Sequence, residues 1–121
     1  MSVRFYQYPK CSTCRKAAKW LKEHGVEVET IDISQQPPTV AELRSMLGHV
    51  GNTRKLFNTS GRQYRELKLK DKLPAMSDDE AIRLLASNGM LVKRPFLLTE
   101  NSGTVGFRED IWHELLLHGS S

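Results

Sequence analysis

The sequence predicts an α/β fold, and three observations carry that prediction. Residues 3–8 alternate aromatic and polar side chains as a strand does, and residues 26–33 alternate again. Between them, apolar side chains recur at the three- and four-residue spacing of a helix. Two cysteines, Cys11 and Cys14, stand where the first strand gives way to this helix. The chain of 121 residues is long enough for one hydrophobic core but not for two, so a single domain is expected.

The opening unit is predicted to be strand, helix, strand. Pro9 ends the first strand, and Gly25 ends the helical pattern of residues 12–24. Two strands joined through a helix need a crossover connection, so they should lie parallel in one sheet with the usual right-handed hand. The apolar residues that define the helix are Ala17, Ala18, Trp20 and Leu21.

The middle of the chain is predicted to be mostly helical. Thr39 and Glu42 form a capping-box pattern that opens a helix to about Leu47, where Gly48 and then Gly51 interrupt it. Residues 53–57 resemble a short helical turn, and residues 58–61 have the composition of a loop. Residues 64–73 favour neither helix nor strand.

The C-terminal part should hold a helix, a hairpin and a last helix. Ser77 and Glu80 repeat the capping box, and Gly89 marks the end of that helix. Residues 96–99 and 104–107 are predicted as strands joined by a turn, which makes them an antiparallel pair. The closing helix is expected over residues 109–117. The order βαβ, helical insert, ββα, with C-x-x-C after the first strand, is that of a thioredoxin-like fold over residues 1–121.

The composition sets limits on location and partners. With 39% hydrophobic and 26% charged residues, the chain is neither disordered nor fibrous. The first ten residues lack the apolar stretch of about 7–15 residues that a signal peptide needs, so we expect a cytoplasmic protein without a membrane span. A net charge of +4 favours anionic partners, but without a dense basic tract no direct binding of nucleic acid is expected.

The cysteine pair carries the chemistry. Cys11 is placed at the start of a helix, where unpaired N–H groups carry partial positive charge and stabilise a thiolate. Together with Lys10, Arg15 and Lys16, this position should lower the pKa of Cys11 below the usual value of about 8.5 and make it the nucleophile. Cys14, one helical turn later, can resolve a mixed disulfide on Cys11 by thiol exchange.

Two other interpretations of the pair stay open. The cysteines could form half of a metal site that His24 or another histidine completes, although none has a ligand-like spacing from the pair. They could also be two ordinary buried cysteines. No chemistry is assigned to the histidines, which are His24, His49, His113 and His118.

Arg94-Pro95 is the second informative pair. It stands just before a predicted strand, where thioredoxin-like folds place a cis proline beside the reactive cysteine; a trans proline that merely starts the strand is the alternative. A cis bond would carry Arg94 to the rim of the thiolate, where a guanidinium can hold an oxyanion by two hydrogen bonds. Arg15 and Arg108 could join it.

Four segments together resemble a known family. They are YPKCSTCRKAAKWL, TRKLFNTSGRQYREL, KRPFLLT and VGFRED, which span nearly the whole chain in order. This set resembles the single-domain arsenate reductases with a thioredoxin-like fold and their relatives, the Spx and MgsR redox regulators. The resemblance implies an arsenate reductase-family domain in which Cys11 attacks arsenate; with the cysteine chemistry above, the predicted catalytic residues are Cys11, Cys14 and Arg94. It implies a substrate-binding set of Ser12, Thr13, Arg15 and Arg108.

The chain departs from the reductase pattern at two positions. The resemblance implies a third oxyanion-binding arginine in the central segment, but the best match there is Asn58, with Arg54 at a neighbouring position. Reductases that use glutathione and glutaredoxin carry a residue other than cysteine at the position of Cys14, whereas the regulators have a C-x-x-C pair.

The resemblance also implies partners. As an oxidoreductase, the protein would act on a small oxyanion, without a bound cofactor or metal, and take electrons from glutathione, glutaredoxin or thioredoxin. As a regulator, it would bind the C-terminal domain of the RNA polymerase alpha subunit, with the cysteine pair setting its redox state. A monomer is expected in either case.

Overall fold

The strands of this protein form one mixed sheet in a computed structural model that describes residues 3–117. Within these residues the sheet has the order β2-β1-β3-β4. Strand β1 pairs in parallel with β2 and antiparallel with β3, which pairs antiparallel with β4, so the predicted parallel pair and hairpin are confirmed. The strands are β1 (Arg4–Gln7), β2 (Glu29–Asp32), β3 (Phe96–Leu98) and β4 (Gly103–Val105).

Helices cover both faces of the sheet and fill the connection between β2 and β3. The α-helices are α1 (Ser12–Glu23), α2 (Val40–Val50), α3 (Arg62–Glu66), α4 (Leu69–Lys72), α5 (Asp78–Ser87) and α6 (Glu109–Leu116). Short 3₁₀ helices span Thr53–Leu56, Leu73–Ala75 and Gly89–Leu91. The fold is therefore the predicted single α/β, thioredoxin-like arrangement with a helical insert. No helix within residues 3–117 is both long and apolar enough to cross a membrane.

Consecutive side chains of β1 point to opposite faces of the sheet and pack into two separate hydrophobic cores. Phe5 packs on the α1 and α6 side, where its ring centroid lies 6.0 Å from that of Trp112. Tyr6 points to the α2 and α5 side and lies edge-on to Phe96 at 5.6 Å. Both side chains are buried because the sheet is covered on both faces, and burial of each contributes about 1.5–3 kcal/mol.

The predicted capping boxes are present at α2 and α5. The hydroxyl of Thr39 accepts from the backbone N–H of Glu42, and that of Ser77 accepts from the N–H of Glu80, each at 3.1 Å. Each glutamate side chain accepts a hydrogen bond in return from the backbone N–H of its capping residue. Such caps stabilise a helix by about 1 kcal/mol, and they explain why these two starts were correctly predicted.

Helix α2 runs further than predicted. It continues through Gly48 and ends only at Gly51, whose φ of 96° lies in the left-handed region. A single glycine inside a helix costs only about 1 kcal/mol, so tertiary packing of α2 overrides the break at Gly48. The prediction that the helix stops near Leu47 was wrong.

The sequence predicted that Gly89 marks the end of α5, but the structure places it differently. The helix ends at Ser87 with Asn88 as its cap, and Gly89 opens the following 3₁₀ helix. A Cβ at Gly89 would lie only 1.9 Å from the carbonyl oxygen of Ile33. Glycine is therefore required by the close approach of two backbones.

Several other boundaries also differ from the prediction. Strand β2 begins at Glu29 instead of residue 26, because Val26 is still bonded to the end of α1 through the carbonyl of Leu21 at 3.0 Å. The undecided segment, residues 64–73, holds most of α3 and all of α4, which bury Tyr64 and Leu69. Strands β1, β3 and β4 are each shorter than predicted, and β4 starts one residue earlier.

Candidate active site

Cys11 lies between the end of β1 and the start of α1. Its backbone N–H donates to the carbonyl of Tyr8 at 3.0 Å, which fixes the turn, and it is the N-cap residue of α1. Its sulfur takes the place of the usual capping oxygen and accepts from the N–H of Cys14 at 3.3 Å. A negative charge on this sulfur is favoured at the positive end of the helix.

The two thiols differ in exposure. Both are free, but Cys11 is half-buried while Cys14 is completely buried. The difference follows from helix geometry, since Cys11 caps the start of α1 while Cys14 lies on the buried face of its first turn. A substrate from solvent therefore reaches Cys11 first.

The surroundings of Cys11 favour its thiolate. Burial by itself raises the pKa of Cys11, but hydrogen bonds from the thiol and backbone N–H of Cys14, the positive charge of Arg94 and the N–H of Thr13 outweigh it. The net result is a pKa below its usual value. Arg94, from a distant part of the sequence, is the charged side chain among the largest causes, whereas the sequence-based expectation relied on the neighbouring cations Lys10, Arg15 and Lys16.

Cys14 is shifted in the opposite direction. Burial is the main cause, and the hydrogen bond that its thiol donates to the Cys11 sulfur adds to it, so the pKa of Cys14 rises to about 12. The thiolate is thus favoured at Cys11 and disfavoured at Cys14. This is the asymmetry that a nucleophile and a resolving thiol require.

Arg94 reaches the site through a cis peptide bond to Pro95, as predicted, so the trans alternative was wrong. Its Nη1 donates to the carbonyl of Met90 at 3.2 Å, and its guanidinium carbon lies 5.1 Å from the centre of the Tyr8 ring. These two contacts orient the guanidinium while leaving most of its N–H donors available for a ligand.

A cavity of about 670 Å³ opens beside Cys11. None of the described residues that line it is a carboxylate, so any charge on the walls is positive or belongs to the thiolate. Its lining residues are Tyr8, Lys10, Cys11, Ser12, Thr13, Asn58, Ser60, Gly61, Lys93, Arg94, Val105, Gly106, Phe107 and Arg108.

The structure brings most of the predicted site residues together. Ser12, Thr13 and Arg108 line the cavity with Cys11 and Arg94, while Cys14 lies beneath. Arg15 is not among the residues from 3 to 117 that line it. Its exposed side chain turns back instead, and its Nη1 donates to the carbonyl of Pro9 at 3.2 Å.

The two candidates for the third arginine position are separated in space. Asn58 lines the cavity, and its backbone N–H donates to the carbonyl of Leu91 at 2.8 Å. Arg54 lines a different cavity, with Tyr64 and Lys70 among its neighbours. An uncharged amide thus occupies the position at the cysteine site.

Comparison with known proteins identifies the family of this chain. The model of the ArsC family matches residues 6–115. The chain belongs to the ArsC family. It is 55% identical over 115 residues to YusI of Bacillus subtilis strain 168, covering 94% of this chain and 98% of that protein. It is 31% identical over 110 residues to the global transcriptional regulator Spx of Enterococcus faecalis V583, covering 89% of this chain and 81% of Spx.

A solved structure resembles this member of the ArsC family along most of its length. It is the crystal structure of "a possible arsenate reductase" from Streptococcus mutans UA159, which superposes with a TM-score of 0.84 at 47% identity. The match covers 90% of this chain and 96% of that chain. The family and the fold predicted from the four segments are confirmed.

Sequence reasoning missed Lys93. It lines the cavity of this ArsC-family chain one residue before Arg94, yet the pattern drew attention only to the arginine and proline. The segment KRPF could have revealed Lys93, because neighbouring residues at a backbone bend can both face one cavity. Phe107, which lines the same cavity, was taken only as a strand residue.

The histidines within residues 3–117 do not line the cavity beside Cys11. His24 stacks on Trp20, with ring centroids 4.1 Å apart, and its Nδ1 lies 2.8 Å from the Trp20 carbonyl oxygen. Among residues 3–117, no three potential ligands of the types His, Cys, Asp and Glu are grouped as a metal would need. His49 and His113 lie on α2 and α6, and His118 lies outside the described residues.

Proposed function

We propose that this protein is a thiol-disulfide oxidoreductase in which Cys11 is the nucleophile and Cys14 the resolving thiol. One observation carries the proposal: the pKa of half-buried Cys11 is lowered, while that of fully buried Cys14 is raised to about 12. A thiolate attacks and a thiol does not, so the order of the two sulfurs in the reaction is set. Membership of the ArsC family supports Cys11 as the nucleophile.

The reaction balances with the two cysteines alone. The Cys11 thiolate attacks one sulfur of a disulfide, forms a mixed disulfide and expels the other sulfur as a thiolate. Cys14 then loses its proton and attacks the Cys11 sulfur, which expels the second thiolate. The substrate gains two electrons, and a Cys11–Cys14 disulfide holds the oxidising equivalents.

Return to the reduced state needs an external thiol. Glutathione, glutaredoxin or thioredoxin can supply the two electrons by the same exchange run in reverse. Arg94 would stabilise negative charge on sulfur, and a small oxyanion such as arsenate would be held by Arg94 and Arg108 at the mouth of the cavity. Such a cycle suits the cytoplasm, where thiols are kept reduced.

Oxidation with diamide tests the proposal. The wild-type protein should lose both titratable thiols and form one intramolecular disulfide, seen as a mass decrease of two hydrogen atoms, which diamide takes up. Cys14→Ser is the matched control, because it keeps the nucleophile but cannot close the disulfide. If both wild-type thiols stay free after oxidation, the proposed function is wrong.

A second candidate is a redox-responsive regulator that binds the alpha subunit of RNA polymerase. The similarity to Spx over 81% of its length favours it. Turnover of arsenate with each electron donor, abolished by Cys11→Ser, would support the enzyme. Capture of the purified C-terminal domain of the polymerase alpha subunit, without turnover and unaffected by Cys11→Ser, would support the regulator.

A further inference from the structure

The positively charged side chains around the cavity beside Cys11 outnumber the single negative charge of a thiolate. Lys10, Lys93, Arg94 and Arg108 all line it, and no carboxylate among the described lining residues balances them. Walls of one sign focus the electrostatic field and concentrate ligands of the opposite sign. The cations differ, however, in what else they contact.

Three of these cations are exposed or already engaged. Arg94 gives one N–H to the carbonyl of Met90. Arg108 lies 3.6 Å from the carboxylate of Asp110, and its side chain is 71% exposed. Lys10 is also exposed. Water and the carboxylate weaken the charges of Lys10 and Arg108.

Lys93 and Arg94 are both half-buried and lack an ion-pair partner among residues 3–117, but Arg94 already gives a hydrogen bond to Met90 and directs its charge to the Cys11 sulfur. The backbone of Lys93 is held firmly, since its N–H donates to the carbonyl of Leu56 at 2.7 Å. Its side chain runs along Gly106, with Cε 3.5 Å from where a Cβ on that glycine would be. A partly desolvated cation without a partner interacts strongly with an anion that reaches it.

We propose that the cavity selects sulfur substrates that carry a negative group beside the reactive bond, and that Lys93 holds that group. The inference rests on the proposed function, because it assumes that Cys11 attacks a disulfide. A carboxylate or another oxyanion next to the disulfide would then bind Lys93 while Arg94 faces the sulfur.

Lys93 and Arg94 therefore have different roles, one toward the substrate and one toward the thiolate. Arg94 helps the hydrogen bonds from Cys14 to lower the pKa of Cys11, so its loss changes the reactivity of the thiolate toward every reagent. Lys93 acts on the substrate, so its loss should matter only for anionic reagents. This difference separates a substrate-binding role from a general effect on the site.

Three symmetrical disulfides provide the test: anionic dithiobis-nitrobenzoate, neutral dithiodipyridine and cationic cystamine. Rates of reaction with reduced protein are measured at low salt, where screening is weak. The ratio of the anionic to the neutral rate cancels the thiolate fraction of Cys11. Lys93→Gln should lower this ratio by about fivefold and raise the relative rate with cystamine.

Two variants serve as controls. Lys19→Gln removes an equal charge from the exposed surface of α1, outside the cavity, and should change the ratio by less than about twofold. Lys93→Arg keeps the charge and should retain the wild-type ratio. The inference is overturned if Lys93→Gln behaves like Lys19→Gln, if it slows neutral and anionic reagents equally, or if Lys93→Arg loses the ratio as well.

The same reaction reports separately on the proposed function. Two thionitrobenzoate ions released per chain, with no nitrobenzoate adduct left on the protein by mass spectrometry, mean that Cys14 resolved the mixed disulfide, whereas one ion and a retained adduct mean that it did not. A single ion with a Lys93-dependent ratio would contradict the role of Cys14 but keep the selectivity. Two ions without a retained adduct, but with an unchanged ratio, would support the role of Cys14 and contradict the selectivity.

Discussion

Arg4 and Arg94 lie in two regions of the molecule and make the same kind of contact with a tyrosine ring, but only Arg4 is also paired with carboxylates. Each guanidinium carbon lies over a tyrosine ring, at 5.5 Å from Tyr6 for Arg4 and at 5.1 Å from Tyr8 for Arg94. Arg4 also meets two carboxylates, Glu29 at 3.0 Å and Glu42 at 2.6 Å. No carboxylate of residues 3–117 lies within ion-pair distance of Arg94.

The difference teaches how to separate a structural charge from a functional one. At Arg4, Glu42 accepts hydrogen bonds from the arginine and from the Tyr6 hydroxyl, and it joins the start of α2 to the sheet. Burial, reinforced by that bond to Glu42, raises the pKa of Tyr6. At Arg94 the positive charge is directed to a thiolate and an open cavity. We expect the first cluster to stabilise the fold and the second to act on substrate.

The largest effect is expected from Glu42→Ala. The change removes the partners of Arg4, Tyr6 and the Thr39 N–H at once, from a carboxylate that is only 11% exposed. Unfolding in urea should show a loss of about 3 kcal/mol, while the pH midpoint of Cys11 alkylation stays unchanged. A loss under about 1 kcal/mol, or a moved midpoint, would break the comparison.

Arg94→Gln should show the complementary result. Protection of Cys11 by sulfate against alkylation should weaken by about 1.5–3 kcal/mol, because a charge-assisted hydrogen bond is lost. The alkylation midpoint should move to higher pH, since Arg94 helps to lower the pKa of Cys11. The free energy of unfolding should change by less than about 1 kcal/mol. Unchanged protection at low salt would show that Arg94 holds no anion.

The smallest effect is expected from Arg44→Ala, which sharpens the contrast with Arg4. Arg44 joins α2 to α5 through Asp79 at 2.8 Å, but the two side chains are 51% and 54% exposed. An exposed pair contributes little, so the loss measured by urea unfolding should be under about 0.5 kcal/mol. A loss above about 1 kcal/mol would mean that pairing matters more than burial.

The parts of the fold that depend on local signals were predictable. The capping boxes at Thr39 and Ser77 lie within four residues, and the C-x-x-C pair needs only the start of α1. The order of strands and helices followed from these signals. For the same reason Cys11 and Cys14 were placed correctly before the fold was known.

The parts that depend on distant contacts were not predictable. The bond from Arg4 to Glu42 spans 38 residues, and nothing near Gly89 in sequence reveals the Ile33 carbonyl that excludes a side chain. Lys93 escaped notice because its role depends on Gly106 and the cavity. Arg15, close to Cys11 in sequence, turns away. Charge near a cysteine in sequence is thus a weaker guide than charge near it in space.

The most direct test of the account is the pH dependence of alkylation of the reduced protein by iodoacetamide, with the modified residue identified by mass spectrometry. A lowered pKa means that the thiolate of Cys11 is already present below the ordinary midpoint of about 8.5, so the rate should rise there and one label should appear, on Cys11. Cys14 should stay unlabelled until the pH approaches its pKa of about 12. A midpoint at or above about 8.5, or equal labelling of both cysteines near neutral pH, would contradict the central claim.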